Sequence, residues 1–102
     1  MLHPAGDPKH VVVISNDGIP QEFDAIRKGE ADATVSQPAD LYAKYGIAYL
    51  KQAIDGKTFK AGPTDHDSTI VEVAPGVLED QLSAPLVTKQ NVDDKAFWGN
   101  NL

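Results

Sequence analysis

A chain of 102 residues suffices for one small domain, and 41% hydrophobic with 24% charged residues is an ordinary globular balance that excludes overall disorder. The net charge of −6 excludes nucleic acid as a partner, since phosphate binding needs a basic surface. The absence of cysteine removes disulfides, thiol catalysis and cysteine–metal sites. The opening Met1-Leu2-His3-Pro4-Ala5-Gly6 has neither the charged start nor the apolar core of a signal peptide. No apolar run approaches the ~20 residues that span a bilayer, and no basic amphipathic stretch suits an anionic membrane surface. On its own the chain reads as soluble, with no export signal.

Residues 10–15 read HVVVIS, a β-branched run that predicts a strand buried on both faces, as in a parallel sheet. Asn16-Asp17-Gly18 is turn chemistry. Pro20 then opens a helix with Gln21 and Glu22 in its first turn, an apolar side of Phe23, Ala25 and Ile26, and Gly29 as its stop. A second strand follows over residues 31–37, where Ala33 and Val35 alternate with polar neighbours. Pro38 opens a longer helix reaching Gly56, with Leu41, Tyr45 and Tyr49 on one side at i, i+4, i+8. Residues 57–66 read as a loop containing Gly62-Pro63. A third strand is expected over 68–73, a break at Ala74-Pro75-Gly76, and a fourth strand over 82–88 that Pro85 weakens at its start. The tail over 91–102 is polar apart from Phe97 and Trp98.

The order β-α-β-α-β-β predicts an α/β fold built on a partial doubly wound parallel sheet (βαβαβ), with right-handed crossovers between its strands. Such a sheet usually needs about five strands and helices on both faces to close a core. This chain supplies two βα units and a hairpin-like end, and so reads as part of a fold.

Candidate chemistry gathers at strand ends. Ser15-Asn16-Asp17-Gly18 lies at the carboxyl end of the first strand, the place where open α/β sheets bind ligands. A carboxylate there can accept hydrogen bonds from two vicinal hydroxyls, although Asp17 can equally form an Asx turn or help cap the next helix. Gln37, at the next strand end, offers one acceptor and two donors suited to hydroxyls; the alternative is a solvated strand end. Enzymatic signatures are missing. No serine stands in a G-x-S-x-G setting, no glycine-rich phosphate loop exists, and His3, His10 and His66 are scattered. Thr64-Asp65-His66-Asp67 contains metal-ligand residue types, but one histidine between carboxylates more often marks a polar loop. Trp98 suits either stacking on a sugar face or surface anchoring. The tyrosines at helical spacing read as packing residues.

Taken together, VVVISNDGIPQEFDAIRKGEADATVSQPADLYAKYGIAYLKQAIDGK over residues 11–57 and APLVTKQNVDD over 84–94 resemble the C-terminal region of the ribose-type, type I periplasmic sugar-binding proteins. That family shows a strand ending in Asp-Gly, a helix ending A-I-x-x-G, a strand of the A-T-V-x-Q-x-P type, and a long helix followed by G-K. The resemblance covers about four-fifths of the chain and rests on five motifs in order and spacing. It implies a non-enzymatic solute-binding component of an ABC importer, with a sugar or polyol as ligand, no cofactor and no metal. Asp17 matches the family's sugar-gripping aspartate, and Gln37 the glutamine at the crossing between lobes. Asn16 stands where ribose-type proteins often place an aromatic residue, which points to another sugar or polyol.

The resemblance further implies a single C-terminal fragment. Residues 10–37 and about 68–90 would be C-terminal-lobe elements, and residues 38–64 a helix and crossover packed on an N-terminal lobe. It places the full-length parent in the periplasm beside an ABC permease. The face of the long helix that carries Leu41, Tyr45 and Tyr49 would be left uncovered, which predicts a homodimer, domain-swapped or side by side. Two alternatives stand beside this reading: a fragment of the effector-binding domain of a lac-repressor-type transcription factor, and an association module with no ligand site.

Overall fold

The computed structural model describes residues 2–101. Its elements in order are β1 (Ile14–Asp17), α1 (Pro20–Arg27), β2 (Ala33–Ser36), α2 (Ala39–Ile54), β3 (Gly62–Pro63), β4 (Thr69–Ala74), β5 (Val77–Gln81) and β6 (Leu86–Thr88), followed by a 3-10 turn at Trp98–Asn100. The fold is mixed α/β, with two helices and two three-stranded sheets among the described residues. It divides into two compact units: the stretch up to Gln37 together with that from Ala84 onward, and Pro38–Ser83. Among the described residues no helix is long and apolar enough to cross a membrane.

The first unit holds the sheet β1-β2-β6. β1 and β2 are parallel, with Asn16 opposite Val35 and Asp17 opposite Ser36, while β6 runs antiparallel to β2. Among the described residues only this β1-α1-β2 passage has the parallel pairing expected of the whole chain; of the fourth expected strand, 82–88, residues 86–88 alone pair, as β6, and β5 lies where no strand was expected. Pro85 has no N–H to continue a ladder. Its carbonyl accepts from the Ser36 amide at 2.9 Å, and β6 starts at the next residue, Leu86.

The first strand is also shorter and later than its β-branched run predicts. β1 is an edge strand paired only from Ile14, and Val11 and Val12 are 70% and 68% exposed rather than buried on both faces. The residues just before it are held by Asp32, whose carboxylate accepts from the Val13 amide at 2.9 Å and from His10 Nε2 at 3.0 Å.

Helix α1 starts where Pro20 predicts and rests on a one-sided cap. Ile19 has no side-chain acceptor, and the Glu22 carboxylate instead accepts from both the Ile19 and Gly18 amides, at 2.8 and 2.6 Å. Its buried side chains are Phe23 and Ile26, which join Ala31, Val87, Val92 and Phe97 in one core. In the tail, Phe97, one of its two expected apolar residues, meets Phe23 edge-on, ring centroids 6.0 Å apart and planes at 62°, and Val92 is fully buried as well. Arg27 fastens the same tail, donating to Asp93, Asp24 and Asn100 at 2.8–2.9 Å.

The second unit contains α2 and the antiparallel sheet β3-β4-β5, whose short first strand falls inside the expected loop. Pro75-Gly76, with Gly76 at φ +76°, supplies type II turn chemistry between β4 and β5. No residue of α2 is fully buried.

Phe97→Ala is expected to destabilise the first unit by about 3–5 kcal/mol through the cavity left beside Phe23. Urea unfolding followed by circular dichroism measures this, and a loss below about 1 kcal/mol would remove Phe97 from the core.

Candidate functional site

Parallel pairing brings the three sequence-predicted residues to one place. Asn16 and Asp17 end β1, and Gln37 follows the last residue of β2. The Gln37 amide donates to the Asp17 carbonyl at 3.0 Å, which continues the β1–β2 ladder one step past Ser36. The Gln37 side-chain Nε2 donates to Asn16 Oδ1 at 3.0 Å, so the two amides lie side by side at the rim. Asp17 is exposed, and among the described residues its carboxylate accepts no hydrogen bond.

The turn carrying Asp17 is unusual. Asp17 has φ +119° and Gly18 φ +79°, two successive residues in a region that side chains other than glycine, asparagine and aspartate rarely enter. Gly18 is buried, and a Cβ there would lie 2.8 Å from both Cα and Oγ of Ser36. Glu22 grips the next two amides from above. In the sequence Glu22 reads only as a charge in a first helical turn; its spacing after Ile19 was the available signal of a capping role.

The grouping offers acceptors and amides at one strand end and no nucleophile–base pair. His10 is engaged by Asp32 and by the His3 carbonyl at 2.6 Å. Hydrogen bonding to His3 first, then to Asp32, raises its pKa. Trp98 is half-buried with its indole N–H enclosed, an arrangement closer to an anchor than to an open stacking platform.

A second cluster lies wholly in the second unit. The sequence marks its tyrosines and the run over residues 64–67 separately but does not join them to each other or to Asp80, because they are dispersed along the chain. His66 stacks on Tyr45 with ring centroids 3.7 Å apart. Its Nε2 lies 2.7 Å from Asp80 and its Nδ1 2.8 Å from Asp65. Tyr49 donates to the same Asp80 oxygen at 2.7 Å. Burial, then the contact with Asp80, pushes the Tyr49 hydroxyl up to about 12, so it stays a donor. Burial also pushes the Asp80 carboxyl up, but hydrogen bonds from Ser68, His66 and Tyr49 outweigh it and hold the group below its ordinary value. Hydrogen bonds to Asp80 and then Asp65 raise the His66 pKa above 6.5. Both ring nitrogens are therefore committed to carboxylates, and within the Thr64-Asp65-His66-Asp67 run it is His66 that turns inward as a fastening, while Asp65 and Asp67 stay exposed. No group of three or more His, Asp or Glu suited to a metal occurs among the described residues. Beside the cluster, an apolar cleft of about 350 Å³ is lined by Tyr49, Leu50, Ala53, Phe59, Ile70 and Leu78.

The chain matches no known protein-family model, and no curated protein matches it significantly.

Protonated His66 is the form that both carboxylates favour, so its contribution to the second unit is complete below its unfolded value of 6.5 and is lost as pH rises through its raised folded value. Asp65 and Asp80, both lowered, contribute above their unfolded value of 3.8 and lose that contribution as pH falls through their folded values. The melting temperature of the second unit should peak in mildly acidic buffer and decline towards alkaline pH. His66→Gln should flatten the alkaline limb, as read by thermal melts across pH; an unchanged slope would mean that His66 does not fasten this unit.

Proposed function

We propose that the chain is a sugar- or polyol-binding module, corresponding to C-terminal-lobe elements of a type I periplasmic solute-binding protein that delivers its ligand to an ABC permease. The observation that carries this reading is the convergence of Asp17, Asn16 and Gln37 at the carboxyl end of the parallel pair β1–β2. An exposed carboxylate at the same strand end as a pair of hydrogen-bonded side-chain amides suits a polyhydroxyl ligand, with Asp17 as the acceptor in this reading. Such a rim binds and does no chemistry, in keeping with a non-enzymatic role without metal or cofactor.

The doubly wound architecture is part of the same proposal. In the sheet β1-β2-β6, alternation puts Ile14, Val35 and Leu86 on one face, and Ile14 and Leu86 are more than half exposed, as are Val11 and Val12 just before β1. A doubly wound lobe covers both faces of its sheet, so these residues are the surface its remaining elements would bury. The parent protein would reside in the periplasm.

A specific observation favours a second reading, the association module. Ile47, Leu50 and Ile54, at i, i+3 and i+7 of α2, are 70%, 63% and 77% exposed and form one apolar stripe. Stripes of this kind are normally covered, and a second copy of the chain would cover it in a homodimer, by domain swapping or by side-by-side packing.

Thermal-shift titration with pentoses, hexoses and polyols tests the first reading. A ligand at a hundred times its dissociation constant should stabilise by about 2.7 kcal/mol, and Asp17→Ala should abolish the shift. A panel with no effect on the wild-type chain, or a shift that survives Asp17→Ala, would overturn the assignment of these residues. Sedimentation velocity tests the second: a dimer is expected, reduced to monomer by Leu50→Lys, whereas a wild-type monomer at micromolar concentration would remove this reading.

A further inference from the structure

Three stretches of the first unit approach one another so closely at the Asp17 turn that only glycine fits. Gly18 lies against Ser36 of β2, where a Cβ would come within 2.8–2.9 Å of three Ser36 atoms. Gly99, in the C-terminal 3-10 turn, lies against Gly18 in its turn. A Cβ on Gly99 would collide with the Gly18 carbonyl oxygen and come within 2.8 Å of the Phe23 ring. No positive φ accounts for glycine at this position, so the close approach does. Glu22 meanwhile holds the Gly18 amide at 2.6 Å and the Ile19 amide at 2.8 Å. The peptide after Asp17 is thus clamped at its amide by Glu22 and at the following carbonyl by Gly99.

We propose that the C-terminal 3-10 turn is the floor of the Asp17 loop and that Gly99 is a positioning residue, setting the direction of the Asp17 carboxylate through the Gly18 backbone. The proposal rests on Asp17 being the hydroxyl-binding group. Peptide planarity transmits displacement: Gly18 cannot move sideways without turning the plane that joins it to Asp17. Added bulk at Gly99 must displace something, and the two neighbours differ in resistance. Phe23 is fully buried and packed on Phe97, whereas Asp17 and Ile19, on either side of Gly18, are exposed. The loop therefore yields before the core. Asp17, already at φ +119°, has little conformational room in which to absorb the change and still keep its aim.

Amide proton–nitrogen spectra of wild-type, Gly99→Ala and the tail control Ala96→Gly test this, with thermal titrations of D-ribose, D-galactose and xylitol run alongside. Gly99→Ala should shift the Gly18 and Ile19 resonances, leave those of β6 in place, and lose the stabilisation by whichever sugar stabilises the wild-type chain. Ala96→Gly should do none of these. A folded Gly99→Ala protein with unmoved Gly18 and Ile19 amides overturns the proposal. Where Gly99→Ala fails to fold, Glu22→Ala decides: releasing the Gly18 amide should shift the fluorine resonance of fluorotryptophan incorporated at Trp98, the sole tryptophan, and an unmoved signal overturns the proposal. Neither spectrum needs a ligand, so a wild-type chain that ignores all three sugars counts against the functional reading alone.

Discussion

Phe23 sits where separate stretches of the first unit meet, and most of that unit depends on its packing. The ring is fully buried from α1, faces Phe97 of the tail edge-on, and forms one side of the slot that admits only glycine at position 99. An edge-on aromatic pair contributes about 0.5–1.5 kcal/mol beyond its buried area. Its larger effect is geometric. With Phe23 in place, the tail must lie along α1, Arg27 can reach Asp93 and Asn100, and the 3-10 turn arrives beneath Gly18. The Arg27 contacts are exposed and individually weak, so they register the tail and the aromatic contact holds it.

The second unit is organised on different physics. Beyond Pro38 at its edge none of its residues is buried, and its ordering comes from an aromatic and charged cluster around His66. Tyr49, His66 and Asp80 hold α2 against β5 by hydrogen bonds, and Tyr45 covers the imidazole face. Such a cluster is sensitive to protonation where an apolar core is not, since its two carboxylates and its imidazole favour opposite ends of the pH scale. The same helix leaves Ile47, Leu50 and Ile54 in water, a surface in search of a cover.

In the proposed sugar module these two styles of construction have separate uses. The rim at Asp17 needs rigidity, because hydroxyl recognition depends on acceptors already placed, and it has a glycine-tight backbone contact below and a carboxylate clamp above. The striped helix needs only adhesion. The close approach at Gly18 also explains why Asp17 tolerates a backbone conformation that costs of order 1–3 kcal/mol when nothing enforces it.

Helix α1 was legible to within a residue from Pro20, the Phe23–Ile26 spacing and Gly29, and α2 from its tyrosine repeat, since helices are written in local periodicity and punctuation. The placing of Asn16, Asp17 and Gln37 at strand ends was equally local, because turn residues mark where strands stop. What local pattern could not decide was pairing. The valine run looked doubly buried, yet β1 became an edge strand that begins at Ile14, and the final expected strand shrank to residues 86–88 while residues 77–81 paired with β4. Phe97 and Val92 stand in a polar stretch with no periodicity, and only the arrival of α1 beside them made them core. Residue types, helix bounds and the acidic rim were determined by the sequence alone. Which strand neighbours which, that Gly99 must be glycine, and that His66 serves as a fastening depend on contacts between residues far apart in the chain, and those are decided only when the tertiary structure closes.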